Sequence, residues 1–576
     1  MSGAVVAAGE QVGAAPAAGH MAEKNEQAAG GAGSEAAGNT GAAVWQFFDH
    51  ETDYPDLCEQ DLCERLGRAL SFATVSHMDD AQTDWGAFDA LQTWMRAAYP
   101  HVFSAGEAEV IGHSLLVTIP GSDASLRPMM LMGHQDVVSV VPGTEGDWGH
   151  GAFSGDVDDT YVWGRGAIDM KDQVTGILEA VEYALVHGWR LRRTIVLAFG
   201  QDEETNQFGA HALGQELERR GVELEFLVDE GDYRIVSSAE YGAPGFHLMH
   251  ADLAEKGYAD VILRASSTGG HSSNPFGGTS LGVLSQAIAR ICAIEWPVRL
   301  TPLTAALLRE LAPAMTSGPL PELGIACAAD VDERADEVAR ACLADPQLFP
   351  LVTTTCAPTM IEGGSASCNV MPQDMWANVN FRMLEGTTGA DVLERCREAV
   401  AGLGVTVELG PGSSEATHAP EPGGTGLAYV RAAAGRYFRE PDENSGRTPV
   451  RVVPSTVIGA TDAANYERAC PACIRFSAFV VDDDECARGV HGTDERITRR
   501  AYLQGIRFLL RLIDLACVQV ELSGRLVRAP SCPHEPLLDV MHLVGGECDR
   551  DLEPRALARV GRDGQAHLLA EHLGKP

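Results

Sequence analysis

Three apolar runs of this chain each end in a cluster of histidine or carboxylate side chains. Met129-Met130-Leu131-Met132 leads into Gly133-His134-Gln135-Asp136, and Thr194-Ile195-Val196-Leu197-Ala198-Phe199 leads into Asp202-Glu203-Glu204. Phe226-Leu227-Val228 leads into Asp229-Glu230-Gly231. Short apolar runs without polar alternation read as strands buried on both faces, the signature of a mostly parallel sheet covered by helices. Open α/β sheets bind ligands beyond the carboxyl ends of their strands, where these polar clusters fall. Between the first two runs, the loop Trp163-Gly164-Arg165-Gly166-Ala167-Ile168-Asp169-Met170-Lys171-Asp172 presents a carboxylate bracketed by glycines. Imidazole and carboxylate suit zinc, and a carboxylate can bridge two cations. The pattern predicts a dinuclear metal centre joined by Asp169.

Each piece has a plainer explanation when taken alone. His134-x-Asp136 could be a solvated loop pair, and Asp169 could sit in a simple glycine turn. Glu203-Glu204 could be the acidic start of a helix, favoured by its dipole. Asp229-Glu230-Gly231 could be a turn. Their succession at the ends of successive strands, with His491 far downstream, is what points to a metal site.

The 576 residues exceed what one core holds and predict several domains. Residues 1–43 are Ala/Gly-rich, lack large side chains, and are expected to be a disordered tail. Strands alternating with helices over 44–255 predict the first part of an α/β catalytic domain. Over 256–410 a strand from Tyr258, the turn Gly270-His271-Ser272-Ser273, a helical stretch, and β-α-β elements to Leu409 predict an inserted smaller α+β domain. Residues 411–524 return to the first domain and end in a long helix from about Asp494 to Val518; 525–576 form an extension of unassigned role.

The net charge of −38 argues against nucleic acid and anionic membranes as partners. No 18-residue apolar window exists, so no transmembrane helix is expected. The fourteen cysteines are scattered rather than framed for disulfides, and no basic leader precedes an apolar segment; a cytoplasmic location is expected. Cys470-Pro-Ala-Cys473 is a lone CxxC and is read as two ordinary thiols.

Taken in order, Gly133-His134-x-Asp136, Gly164-Arg165-Gly166-x-x-Asp169-Met170-Lys171, Asp202-Glu203-Glu204, Asp229-Glu230-Gly231, Gly270-His271-Ser272-Ser273 and Gly489-Val490-His491-Gly492 resemble one family. It is the dizinc hydrolases that include carboxypeptidase G, aminoacylase, acetylornithine deacetylase, succinyl-diaminopimelate desuccinylase and dipeptidases. The form Gly489-Val490-His491-Gly492-Thr493-Asp494-Glu495-Arg496-Ile497 looks most like the branch of carboxypeptidase S and the N-acyl-amino-acid hydrolases. The resemblance covers about residues 50–520.

The resemblance implies two zinc ions per chain, with cobalt or manganese as substitutes, bridged by Asp169. His134 and Asp229 would complete one ion's shell, Glu204 and His491 the other's; Glu230, next to Asp229, is the rival ligand. Glu203 would act as general base and pass the proton to the leaving amine, and Asp136 would orient His134. His271, in the inserted domain, would reach a site across a domain or dimer interface and stabilise the oxyanion. Asn369 and Arg382 would supply polar contacts to substrate, an arginine fork suiting a free carboxylate.

The implied function is zinc-dependent cleavage of an amide or peptide bond next to a free carboxylate, on an N-acyl-amino acid or a short peptide. A homodimer through the inserted domain is expected with it. The alternatives are a deacylase of an acylated biosynthetic amino acid and a non-catalytic metal-dependent binder, though a binder has no need of Glu203. Relatives often carry Gly-Gly-Thr-Asp where this chain has Gly459-Ala460-Thr461-Asp462-Ala463-Ala464, a change expected to bear on substrate choice.

Overall fold

The computed structural model describes residues 44–442, 446–482, 485–486 and 489–520. The expected tail, 1–43, and extension, 525–576, lie outside the described residues.

The apolar runs form the middle of a nine-stranded sheet. Its order is Glu107–Ile111, Ser114–Ile119, Ile195–Gly200, Met129–His134, Phe226–Asp229, Cys473–Arg475, His247–Glu255, Arg451–Val457, with Val236–Ser237 pairing beside His247–Glu255. The central pairs are parallel, and antiparallel pairs flank them. Met129–His134 and Ile195–Gly200 are buried at every position, because alternate side chains feed two cores. Leu131 and Leu197 face helices Lys171–Val186 and Arg499–Ile513 on one side. Met130, Met132, Val196 and Ala198 face helix Phe208–Arg220 on the other. The two helices on the first face meet through one ring. A Cβ on Gly176 or Gly505 would lie 2.4 Å from Phe479 atoms, so both positions require glycine for the close approach.

A second, antiparallel sheet runs Thr355–Gly363, Asp374–Met383, Gly257–Ser266, Thr406–Leu409. Strand Gly257–Ser266 alternates buried and less buried positions, the pattern of a sheet covered on one face. Helices Ser280–Cys292 and Gly389–Ala399 supply that cover, with Val261, Leu263, Ile291, Val379, Phe381 and Val392 among the core residues. Thr388 and Asp391 close the second helix with a reciprocal capping box.

The helical stretch within 256–410 packs on the flank of the large sheet: Leu307, Leu308, Leu311, Val338 and Leu351 pack with Val236, Phe246, Leu248 and Val453. One expectation is corrected. The long helix expected from Asp494 begins instead at Arg499. Arg496–Thr498 is a strand paired antiparallel with Tyr161–Trp163, and the Thr498 hydroxyl caps the helix by accepting from Ala501 N.

Candidate metal centre

Strands Ile195–Gly200, Met129–His134 and Phe226–Asp229 are neighbours in the sheet, so their carboxyl ends bring three loops to one place. His134 closes its strand with Nε2 3.1 Å from Asp169 Oδ1 and 3.9 Å from Glu230 Oε1. His491 Nε2 lies 3.2 Å from Asp169 Oδ2 and 3.1 Å from Glu204 Oε2. The two oxygens of Asp169 thus face different imidazoles. Among the described residues, two groups could hold a cation: His134 with Glu203 and Glu230, and His134 with Asp169 and Glu204, the ligand atoms of each lying within 4.8 Å of one another. Glu204 Oε1 is buried and has no hydrogen-bond partner. Nitrogen and carboxylate oxygen donors with an unsatisfied buried oxygen among them fit divalent zinc.

Asp136 ties the ligand loops together from behind. Its Oδ1 lies 3.3 Å from His134 Nδ1 and accepts from Glu203 N at 3.1 Å. Its Oδ2 accepts from Ser76 Oγ at 2.7 Å and from Glu204 N at 3.2 Å. His134 Nδ1 also bonds the Asp136 carbonyl at 3.0 Å, and such contacts at the far nitrogen of a ligand histidine fix the ring's tautomer and aim.

A second such tie is Glu495, which lies in the late motif but is assigned no role from it. It is fully buried, and its carboxylate accepts from Arg165 Nη1 at 2.7 Å, Ile168 N at 2.9 Å and Asp169 N at 3.2 Å. Its own carbonyl accepts from Gly164 N at 2.9 Å. Four residues after His491, Glu495 therefore holds the Asp169 loop.

The crowding shows in the titration of these groups. Burial alone would push the His134 imidazole down, but the carboxylates of Asp136 and Asp169 outweigh it and hold its pKa well above the ordinary value. Hydrogen bonds to Asp169 and Glu204 raise His491 to about 10. Burial, with the neighbouring carboxylates, pushes Glu203 and Glu230 well above the carboxylate range. Burial also raises Glu204, against the pull of His491. The carboxylates stay raised although His134 and His491 pull them down, a surplus of acidic groups that cations would offset.

The expected ligand Asp229 does not join either group. Its rival Glu230, just past the end of the strand, lies 3.9 Å from His134 Nε2. Asp229 Oδ2 accepts from Ala463 N at 3.0 Å, its Oδ1 is buried without a partner, and burial raises its pKa to about 6.

The inserted-domain residues have local partners. His271 is exposed in the two-residue strand Gly270–His271, which pairs antiparallel with Val370–Met371, and its Nδ1 engages Ser273 Oγ at 2.8 Å. Asn369 belongs to the same corner: its carbonyl accepts from Ser272 N, and its Oδ1 accepts from Ser367 Oγ. Arg382 lies eight residues along strand Asp374–Met383 from its start, about 26 Å of extended chain, with its guanidinium over the Tyr258 ring at 4.8 Å.

The variant segment 459–464 packs against the ligand strands. Thr461 donates from N and Oγ1 to Glu255. Asp462 is buried, and neither of its oxygens has a partner.

Residues 130–515 match the family described as Peptidase family M20/M25/M40. A relative described as "Probable carboxypeptidase S-like 2" from Dictyostelium discoideum is 29% identical over 470 residues, covering 81% of this chain and 87% of that protein. The N-fatty-acyl-amino acid synthase/hydrolase of Homo sapiens is 30% identical over 460 residues, covering 79% and 87%. Among solved structures, an M20 family metallo-carboxypeptidase from Sulfolobus solfataricus superposes with a TM-score of 0.56 at 17% identity, covering 79% of this chain and 99% of that one. Human carnosine dipeptidase 1 superposes with a TM-score of 0.51 at 14% identity, covering 80% and 98%. The structural likenesses show the shared fold.

Proposed function

Because the chain belongs to peptidase family M20/M25/M40, metal-dependent hydrolases of amide bonds, we propose that it cleaves the amide bond next to the free carboxylate of an N-acyl-amino acid or short peptide. The observation that carries this reading is Asp169, whose two carboxylate oxygens face His134 and His491 separately. We assign one cation to His134, Asp169 and Glu230, and the other to Asp169, Glu204 and His491, with Glu230 in place of the expected Asp229. Held by these residues, two zinc ions would supply Lewis-acid polarisation of the scissile carbonyl and a more acidic water.

Glu203 is the residue that moves the proton. It stands beside a ligand, its peptide N–H is fixed by Asp136, and its environment favours accepting a proton, since burial raises its pKa. It takes the proton from water and delivers it to the departing amine. Asp136 keeps the His134 ring aimed. His271 meets the developing oxyanion once the inserted domain closes or when a second chain supplies it, and Asn369 travels with it.

The relatives' names favour N-acyl-amino acids and C-terminal residues as substrates. A homodimer through the inserted domain fits the edge strand Thr355–Gly363, which pairs on one side only and exposes Met360 and Ile361. We place the protein in the cytoplasm: the twelve described cysteines are all unpaired. Among the described residues no helix is long and apolar enough to cross a membrane.

The test is a hydrolysis screen over N-acyl-amino acids and dipeptides with zinc, cobalt or manganese added back. Metal-dependent release of the free amino acid supports the reading. Substrates that lack the carboxylate but are cleaved equally well would overturn it.

A further inference from the structure

Gln207 carries a side chain at a backbone position suited to glycine. Its φ is 53° and its ψ 21°, in the left-handed region, at the start of helix Phe208–Arg220. L side chains are strained there, and such strain persists where something else holds it, often at functional sites. The backbone turn itself needs no side chain at this position. Asp202 supplies its closure, accepting through its carbonyl from Gln207 N and through its carboxylate from Phe208 N and Gly209 N.

What the side chain does is contact the base. Gln207 Nε2 donates to Glu203 Oε1 at 3.0 Å. An ionised carboxylate only accepts, so the amide must present its nitrogen to Glu203 and its oxygen elsewhere. That oxygen accepts from Asn465 Nδ2 at 3.4 Å, and the same nitrogen donates to the Asp462 carbonyl at 3.2 Å. Each amide thereby fixes the orientation of the next. Asn465 directly follows the segment in which this chain departs from Gly-Gly-Thr-Asp and bonds Asp462 within it, so the variant segment is linked to the base.

We propose that Gln207 is a positioning residue for Glu203: its amide occupies one carboxylate oxygen and leaves the other as the acceptor for the water's proton, with Asn465 holding the amide in register. The inference rests on Glu203 being the base. Without the amide the carboxylate rotates about its terminal torsion, which is broad for glutamate, and the accepting oxygen is no longer set.

Gln207→Gly and Gln207→Ala separate this role from a structural one, because the backbone strain and the contact respond differently. Glycine relieves the left-handed strain, so Gln207→Gly melts at or above the wild-type temperature, while Gln207→Ala keeps the strain and melts lower than Gln207→Gly. Both lose the donor, so both lose kcat by the same factor, roughly ten- to a hundred-fold for a hydrogen bond to a charged group. KM and bound zinc stay at wild-type values. Asn465→Ala loses kcat by a smaller factor with the same unchanged KM. Wild-type kcat in Gln207→Gly, or a fall in kcat that follows melting temperature or zinc content, overturns the inference and leaves the hydrolase reading intact. Wild-type turnover in Glu203→Gln removes the base and this inference with it. A wild-type protein that hydrolyses no amide removes the proposed function itself.

Discussion

Glu495→Gln tests whether the two cation sites are built as one unit. The carboxylate is fully buried against Arg165, itself nearly buried, and accepts two peptide N–H groups at the base of the Asp169 loop. Glutamine keeps the shape and one acceptor oxygen but strands the Arg165 charge. A hydrogen bond to a charged group contributes about 1.5–3 kcal/mol, and removing one partner of a buried ion pair altogether costs about 3–5 kcal/mol. Glu495→Gln should therefore lose about 2 kcal/mol of stability, and Glu495→Ala more. The loop it releases carries Asp169, the residue proposed to bridge the two cations, so the loss should appear in metal affinity at both sites, by about ten- to a hundred-fold, the usual range when a ligand's supporting residue is removed. Titrating metal-free protein with zinc against a chromophoric chelator reads both affinities, and excess zinc should restore turnover. Wild-type affinity at both sites in a variant that has nonetheless lost stability would refute the coupling and leave Glu495 as a packing residue.

Further outcomes follow from the same geometry. Glu203→Gln should keep both cations yet lose about two to four orders of magnitude in turnover, measured on metal-analysed protein; near wild-type rate would remove it as base. His271→Ala should lower turnover by about two to three orders of magnitude with little change in KM. Mixing it with Glu203→Gln should restore activity if a second chain supplies the histidine, whereas no recovery after verified subunit exchange places it within one closing chain. Asp252 is buried on strand His247–Glu255, and that burial, with the Asp232 charge, raises its pKa from 3.8 to about 6 against the pull of His250 and Arg475. A pKa raised on folding adds stability below about pH 3.8 that is lost as pH rises through about 6. Asp252→Asn should therefore melt higher than wild type at pH 8, by an amount equivalent to roughly 3 kcal/mol, and the gap should close by pH 4. A gap independent of pH would contradict this.

The parts of the fold that were legible in the sequence are those where burial leaves no choice of residue. A strand covered on both faces must be apolar throughout, so Met129–His134 and Ile195–Gly200 announced themselves, and their polar ends with them. Asp229 and Glu230 could not be separated that way, because which of two adjacent side chains faces the cluster depends on the strand's register with its neighbours. Glu495 left no local mark, since its partners Arg165 and Ile168 lie 330 and 327 residues away. Gln207 was hidden for a different reason: left-handed backbone is announced by glycine or asparagine, and here a glutamine occupies it. Arg496–Thr498 is only three residues long and runs directly into a helix, so helical periodicity absorbed it. The helices within 302–352 show amphipathic faces, but nothing in their own sequence says that the partner is the flank of the large sheet.

The most direct test of the dinuclear centre is metal analysis of purified protein, wild type beside Asp169→Ala. Asp169 faces both His134 and His491, one through each oxygen, so zinc-reconstituted wild type should hold close to two equivalents per chain and Asp169→Ala should lose both while remaining folded. A wild-type value near zero after reconstitution, or two equivalents retained in Asp169→Ala, would contradict it.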